Sequence, residues 1–284
     1  MDMNKQFGVR EIANVVLKAK AAMKIGNTDF DANEPVLYFD TLKTSTVEGA
    51  ATTVYATGGR GNARLISWDG ERTITFTMED ALISPMGLAI LTGAGLISEK
   101  KEAHFNARVE GTVGDSNAVT VTWPTKNFKK PTFKDNSELK IYAEVVEEDG
   151  TTPEKLVVAT ASTDGITFTS AKQLTSGKKV TVHVDYYSEE QILNIDIEPG
   201  KFSGNFYLEA ATLFRDTDGK DHAAEFIIPN CRVQSNFTFS MASSGDPSTF
   251  TFTMDAFPGY TAYDKTKKVL CAIQVLADTP ASNS

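Results

Sequence analysis

At 284 residues and 41% hydrophobic content the chain can bury one large core or two modest ones, which excludes disorder for all but its ends. A net charge of −9 and a pI near 5.0 exclude a protein that grips nucleic acid by neutralising phosphates, because that mode needs clustered Lys and Arg. No apolar segment follows Met1-Asp2-Met3-Asn4-Lys5 and no run approaches the roughly 20 apolar residues of a membrane span, so a cytosol is the expected folding compartment.

In chain order, Ala13–Leu17 and Pro35–Phe39 are short apolar runs separated by polar turns, which predicts strand, loop, strand. Helix is the rival for the first run, since Ile12, Val15, Val16 and Ala19 also fit a 3.6 period. From Lys43 to Gly61 the chain is small and polar and reads as a long loop, ending in Gly58-Gly59-Arg60-Gly61. Leu65–Trp68, Asp69-Gly70 and Thr73–Met78 predict a hairpin turning at the Asp-Gly pair. Ser84-Pro85 then opens a helix over Met86–Leu91, with Ser as cap, Pro in the first turn and Gly93 or Gly95 as terminator.

Between about Gly111 and Gln191 the texture changes to short strand-like pieces at Val119–Trp123, Leu139–Val146, Leu156–Ala159, Ile166–Phe168 and Val180–Tyr187. Further hairpins follow: Asn205–Phe214 with Ala223–Ile228 across Asp218-Gly219, and Cys231–Met241 with Thr249–Phe257 across Gly245-Asp246-Pro247. A last strand is expected at Val269–Leu276 and a loose tail at 278–284. Three of these pieces repeat one pattern: Thr73–Met78, Asn236–Met241 and Thr249–Met254 alternate Thr or Ser with Ile, Phe or Met. In an extended chain that alternation gives a core face and a short-chained, uncharged, hydroxyl-rich face.

Chemistry-bearing clusters are sparse. Cys231 and Cys271 have no partners at metal-ligand spacing and are expected to be small buried hydrophobes. Asp216-Thr217-Asp218-Gly219-Lys220-Asp221 lacks the further acids of a calcium loop and reads as a turn. Gly58-Gly59-Arg60-Gly61 lacks the Lys-Ser/Thr ending of a phosphate loop. His104, His183 and His222 stand apart from ligand-type neighbours, and Glu189, Glu190, Asp196 and Glu198 read as solvated charge, as do Lys126, Lys129, Lys130 and Lys134. No catalytic residue, metal site or cofactor is expected.

The order of elements resembles the tail tube proteins of tailed bacteriophages. Two blocks carry the resemblance: Leu37-Tyr38-Phe39-Asp40 through Thr44-Ser45, Val54-Tyr55-Ala56, Gly58–Gly61, Trp68 and Thr73–Ser84; and Ile228-Pro229-Asn230 with Ser235–Met241 and Gly245–Asp255. The resemblance implies a mainly β fold of two packed antiparallel sheets with one flanking helix. The resemblance does not extend to Gly111–Gln191, whose change of texture reads as an inserted β-hairpin region or small β-subdomain, leaving the core at 1–110 plus 192–277. It further implies subunits that join edge to edge in hexameric rings, stacked into a tube that conducts DNA at ejection without binding it specifically. Tail sheath, tape measure and baseplate proteins are the other implied partners, and the virion tail the location, after assembly in host cytoplasm.

The loop reaching the adjacent subunit or ring then corresponds to Lys43, Thr44, Thr46, Glu48, Thr53, Tyr55 and Arg60. The inner-sheet positions correspond to Thr73, Thr75, Thr77, Thr238, Ser240, Thr249, Thr251 and Thr253. The rival readings are a phage decoration or host-adhesion module that recognises its target through 111–191, and a polysaccharide-processing enzyme, which would need a carboxylate pair in a cleft.

Overall fold

A computed structural model of the chain describes residues 6–9, 11, 13–100, 103–114, 118–121, 142–145, 154–162, 165–169, 176–177, 179–188, 191–241, 243–244 and 249–280. Among the described residues the fold is mainly β, with antiparallel sheets and one short helix. In chain order the strands are β1 Phe7–Val9, β2 Asn14–Ala19, β3 Met23–Ile25, β4 Thr28–Phe30, β5 Pro35–Phe39, β6 Leu42–Gly58 and β7 Ala63–Asp80, followed by helix α1 Pro85–Thr92. Then come β8 Gly95–Lys100, β9 Ala103–Val113, β10 Ala118–Val121, β11 Tyr142–Val145, β12 Glu154–Ser162, β13 Gly165–Thr169, β14 Lys179–Ser188 and β15 Gln191–Asp196. The chain closes with β16 Asn205–Asp216, β17 Asp221–Val233, β18 Phe250–Ala256 and β19 Ala272–Pro280.

The chain divides into two compact units, 1–97 with 194–284, and 98–193. In the first, nine strands form one sheet in the order β5-β2-β16-β17-β18-β7-β6, with β1 added to β16 and β19 to β17. Strands distant in that order touch across the core: Phe39 of β5 meets Phe252 of β18 edge-on, ring centres 4.9 Å apart, and the Ala13 N–H donates to Ser45 Oγ at 3.2 Å. The sheet therefore curls, and its two halves supply the packed layers. Val15, Leu17 and Ala19 from β2 face Phe76, Met78, Phe252 and Met254 inside, all at most 1% exposed. Each of these side chains other than Ala19 contributes about 1.5–3 kcal/mol on burial.

In the second unit six strands pair in a cycle, β10-β13-β12-β11-β14-β9 and back to β10. Its longest ladder sets Ala103–Thr112 against Lys179–Ser188, so β9, Ala103–Val113, runs unbroken through the expected edge of the insertion at Gly111. The cluster Lys126, Lys129, Lys130 and Lys134 lies outside the described residues.

Helix α1 starts and stops as its sequence dictates. Ser84 Oγ accepts from the Gly87 N–H at 3.0 Å, Pro85 occupies the first turn, and Gly93 ends the helix at φ 68°. Ala89, Ile90 and Leu91 then enter the core. The first apolar run is strand β2, not helix, because only alternation puts Val15, Leu17 and Ala19 on one buried side.

Three expectations are corrected. Lys43–Gly58 is not a loop: it belongs to β6, whose polar composition reflects exposure, while Thr, Val and Tyr suit the ladder it makes with β7. Asp69-Gly70 is not a hairpin turn but lies mid-strand in β7, at a bulge; the turn is Gly59-Arg60-Gly61-Asn62, with φ of 77°, 93° and 48° at Gly59, Gly61 and Asn62. Asn236–Met241 is not a strand. After the Gln234 N–H donates to Thr253 O at 2.8 Å the backbone leaves the ladder. Phe237 then packs on Phe239, ring centres 5.2 Å apart, and Phe239 on Phe250 at 5.5 Å, while Met241 is 94% exposed. The predicted turn at Gly245-Asp246-Pro247 lies outside the described residues. The last strand runs to Pro280, through part of the expected tail.

Candidate assembly surface

Strands β6, β7 and β18 are side by side, and their register fixes which residues share a face. Thr44, Glu79 and Thr251 form one cross-strand row, Thr46, Thr77 and Thr253 the next, and Glu48, Thr75 and Asp255 a third, continued by Ala50 beside Thr73. All lie opposite the core residues Phe76, Met78, Phe252 and Met254, which occupy the intervening positions. This face holds six threonines and three acids in its first three rows, with no Lys or Arg. Asp255 is held by Gln234, whose Nε2 donates to Oδ1 at 2.9 Å. Of the inner-sheet positions read from sequence, Thr73, Thr75, Thr77, Thr251 and Thr253 come together here. Thr249 precedes β18 by one residue, and Thr238 and Ser240 lie in the irregular segment outside the sheet.

Beyond Gly49 and Ile74 the β6–β7 pair leaves the core as a two-stranded arm. Every residue from Gly49 to Tyr55 and from Ala63 to Thr73 is exposed. One irregularity decides its chemistry. Ala51 pairs with Arg72 and Thr53 with Asp69, so Gly70 and Glu71 together oppose Thr52. The Glu71 N–H donates to Thr52 Oγ1 at 2.9 Å, and a Cβ on residue 70 would stand 2.3 Å from that oxygen, so the close approach requires glycine.

The inserted residue shifts the alternation of β7. Ile66, Trp68, Ile74, Phe76 and Met78 all occupy even positions of β7, yet they divide between faces. Ile74 and Phe76 sit on the core side with Gly49 and Val47, whereas Trp68 pairs with Val54 and Ile66 with Ala56 on the side that carries the threonines. The core side of the arm becomes polar instead, with Thr53 beside Asp69 and Tyr55 beside Ser67, and the Arg64 guanidinium lies 4.1 Å over the Tyr55 ring. Val54, Leu65, Ile66 and Trp68 are 61, 65, 56 and 53% exposed. Sequence reading placed Lys43, Thr44, Thr46, Glu48, Thr53 and Tyr55 in a loop and Arg60 near its end. They are strand residues of β6, except Arg60 in the tip, and the apolar Trp68 and Ile66 were missed because Asp69-Gly70 read as a turn.

The acids of Asp216–Asp221 are engaged in the β16–β17 turn. Asp216 Oδ1 accepts from the Asp218 and Lys220 N–H groups, both at 2.9 Å, and Asp221 makes a two-pronged pair with Arg215 at 2.6 and 2.7 Å. Asp216 Oδ2 lies 2.9 Å from His222 Nε2, while Nδ1 of that ring is 3.1 Å from Leu276 O, which ties β19 to the turn. Cys231 is buried and its thiol is pushed up to about 12 by that burial. On the outer face of β16 and β17, Lys18 pairs with Glu209 at 2.5 Å, and burial, with Glu209 adding to it, raises the Glu225 carboxyl.

Compared with known families, residues 19–270 match the YomU/Tube protein family. No curated protein matches the chain.

Proposed function

Because the chain belongs to the YomU/Tube protein family, we propose that it is a non-enzymatic structural protein of a phage tail, which assembles into stacked hexameric rings forming the conduit for DNA ejection. The observation that carries this reading is the arm. An isolated two-stranded ribbon is marginal in water, and this one presents apolar side chains on one face, so it needs a covering surface. Strand β6 ends the sheet and runs 17 residues, a length of open edge suited to pairing with a neighbour.

In this reading the threonine and acid rows of β6, β7 and β18 face the lumen. Glu48, Glu79 and Asp255 would repel the duplex phosphates over a screening length of about 8 Å, while the hydroxyls hold water between wall and DNA. A basic wall would instead retain DNA through counterion release. Location in the virion tail and contact with sheath, tape measure and baseplate proteins belong to the same proposal.

Electron microscopy of purified protein over a range of concentrations, with and without seeds from a tail preparation, tests it. Rings or tubes are expected above a threshold concentration. A protein that remains monomeric even when seeded removes the reading.

A further inference from the structure

We propose that the open end of this protein's own core is the socket that receives the arm of a second copy, with Trp68 and Ile66 as the anchoring side chains. The inference rests on the self-assembly reading and supplies its missing half, the surface that the arm meets.

Where the curled sheet ends, core-side residues are left uncovered around a cavity of about 680 Å³. Its apolar wall includes Val9, Val47, Phe226 and Ile273, and its rim carries Glu11 and Lys43. Val9 is 68%, Ile273 59% and Val47 36% exposed, although Val47 pairs with Phe76 and Ile273 with Phe226 on the side that elsewhere forms the core. The arm has the complementary lack, an apolar face of Val54, Trp68, Ala56 and Ile66 with nothing against it.

The two cannot satisfy each other within one chain. Lys43–Val47, the root of the arm, is itself a wall of the cavity. Val54 lies seven residues further along a continuous ladder, roughly 23 Å away at strand rise, and a paired ribbon does not fold back on its root without breaking its hydrogen bonds. The occupant is therefore another molecule. One face of the arm, about ten residue pairs long and roughly 10 Å wide, offers about 300 Å², less than half of the ~800 Å² per partner in a stable interface. A chain that both gives an arm and receives one doubles its contact. Such a head-to-tail contact repeats around a ring or along a tube. The tip from Gly58 to Arg64 carries Arg60 and Arg64 and no acid, and the rim offers it Glu11 together with the like-charged Lys43, so the apolar contact and not charge carries the seat.

Cross-linking tests the socket. In a Cys271→Ser background, where the remaining Cys231 is buried, Val9→Cys and Ile66→Cys are prepared as separate full-length proteins and oxidised alone and mixed. A disulfide-linked dimer is expected in the mixture only. Ile273→Lys, at a position already exposed, should leave the monomer's melting temperature within a few degrees and raise the assembly threshold at least tenfold. If tubes form but Ile66→Cys links only to itself, or Ile273→Lys assembles at the parent's concentration, the socket is wrong and the tube reading stands. If nothing assembles at any concentration, both fall.

Discussion

Gly70 shows how much can depend on a missing Cβ. Gly70→Ala puts a methyl 2.3 Å from Thr52 Oγ1 and 3.2 Å from the Thr52 carbonyl oxygen. Overpacking of this kind costs about 1–3 kcal/mol, so amide exchange in the arm should speed up roughly ten- to a hundredfold while exchange in β16 and β17 stays unchanged. Thr52→Ala in the same chain should restore most of the protection; failure to do so would mean that the bulge is held by something other than this approach. Two titratable groups give further tests. Cys231 has its thiol raised by burial from 9.0 to about 12, with Lys20 pulling weakly the other way. Its contribution to stability is full below pH 9 and is lost as pH climbs toward 12, because the unfolded thiol ionises first. Melting curves across that window should fall less steeply for Cys231→Ala than for the parent, and a disulfide reagent at pH 8 should label Cys271 but not Cys231. The Glu225 carboxyl is raised first by burial and then by Glu209, so the fold disfavours its charged form. Glu225→Gln should therefore raise the melting temperature at pH 7 and make no difference below the ordinary carboxylate value of 4.5, where both folded and unfolded forms are protonated.

The element that matters most is the β6–β7 pair, and its outer half is separable from the core. Joining Ala51 to Arg72, which face each other in the ladder, through an Asn-Gly turn removes the bulge, Trp68, Ile66 and the tip while sparing Phe76 and Met78. The shortened chain should keep its circular dichroism spectrum and melt within a few degrees of the parent, yet form no rings or tubes in the microscope. Loss of the folded signal would show that the arm supports the core. Much of the body was legible from alternation. Ile74, Phe76 and Met78, like Phe252 and Met254, face the core as their period-two pattern dictates, and the Ser84-Pro85 cap and Gly93 stop bracket the helix. The arm was not legible, for two physical reasons. A ribbon exposed on both faces has no buried side to impose alternation, so Gly49–Gly58 resembled a loop and drew the neighbouring Lys43–Glu48 into the same reading. Asp-Gly has the same composition whether it turns a chain or fills a bulge, and only the partner strand decides. Asn236–Met241 failed in the opposite sense, since its alternation is perfect but Phe237 packs on Phe239 and Phe239 on Phe250 with the backbone outside the ladder.

For the molecule as a whole, two independently paired units predict two steps in unfolding. The six strands of the cycle within 98–193 pair among themselves, as do the nine strands of the other unit. Calorimetry should resolve two transitions. A chain of 98–193 alone should reproduce one of them, and a single cooperative peak lost on separation would show that neither unit is stable by itself. At this scale charge acts collectively: replacing Glu48, Glu79 and Asp255 by Lys should leave tubes intact in the microscope while slowing DNA ejection, most at low salt where screening is weakest.

The place of β2 in the sheet has a consequence in time. It lies between β5, made soon after it, and β16, made nearly two hundred residues later, where Val16 pairs with Glu209. Loop closure over such a span is slow, so an emerging chain can complete the cycle of 98–193 before β2 finds its second neighbour. The cavity at the end of the core waits longer still, since one wall is Val9 and another is Ile273. On the proposed assembly, every arm is synthesised well before the socket that would hold it, so a growing chain could be received by finished neighbours before it could receive. Growth from nascent chains would then run in one direction until β19 is in place.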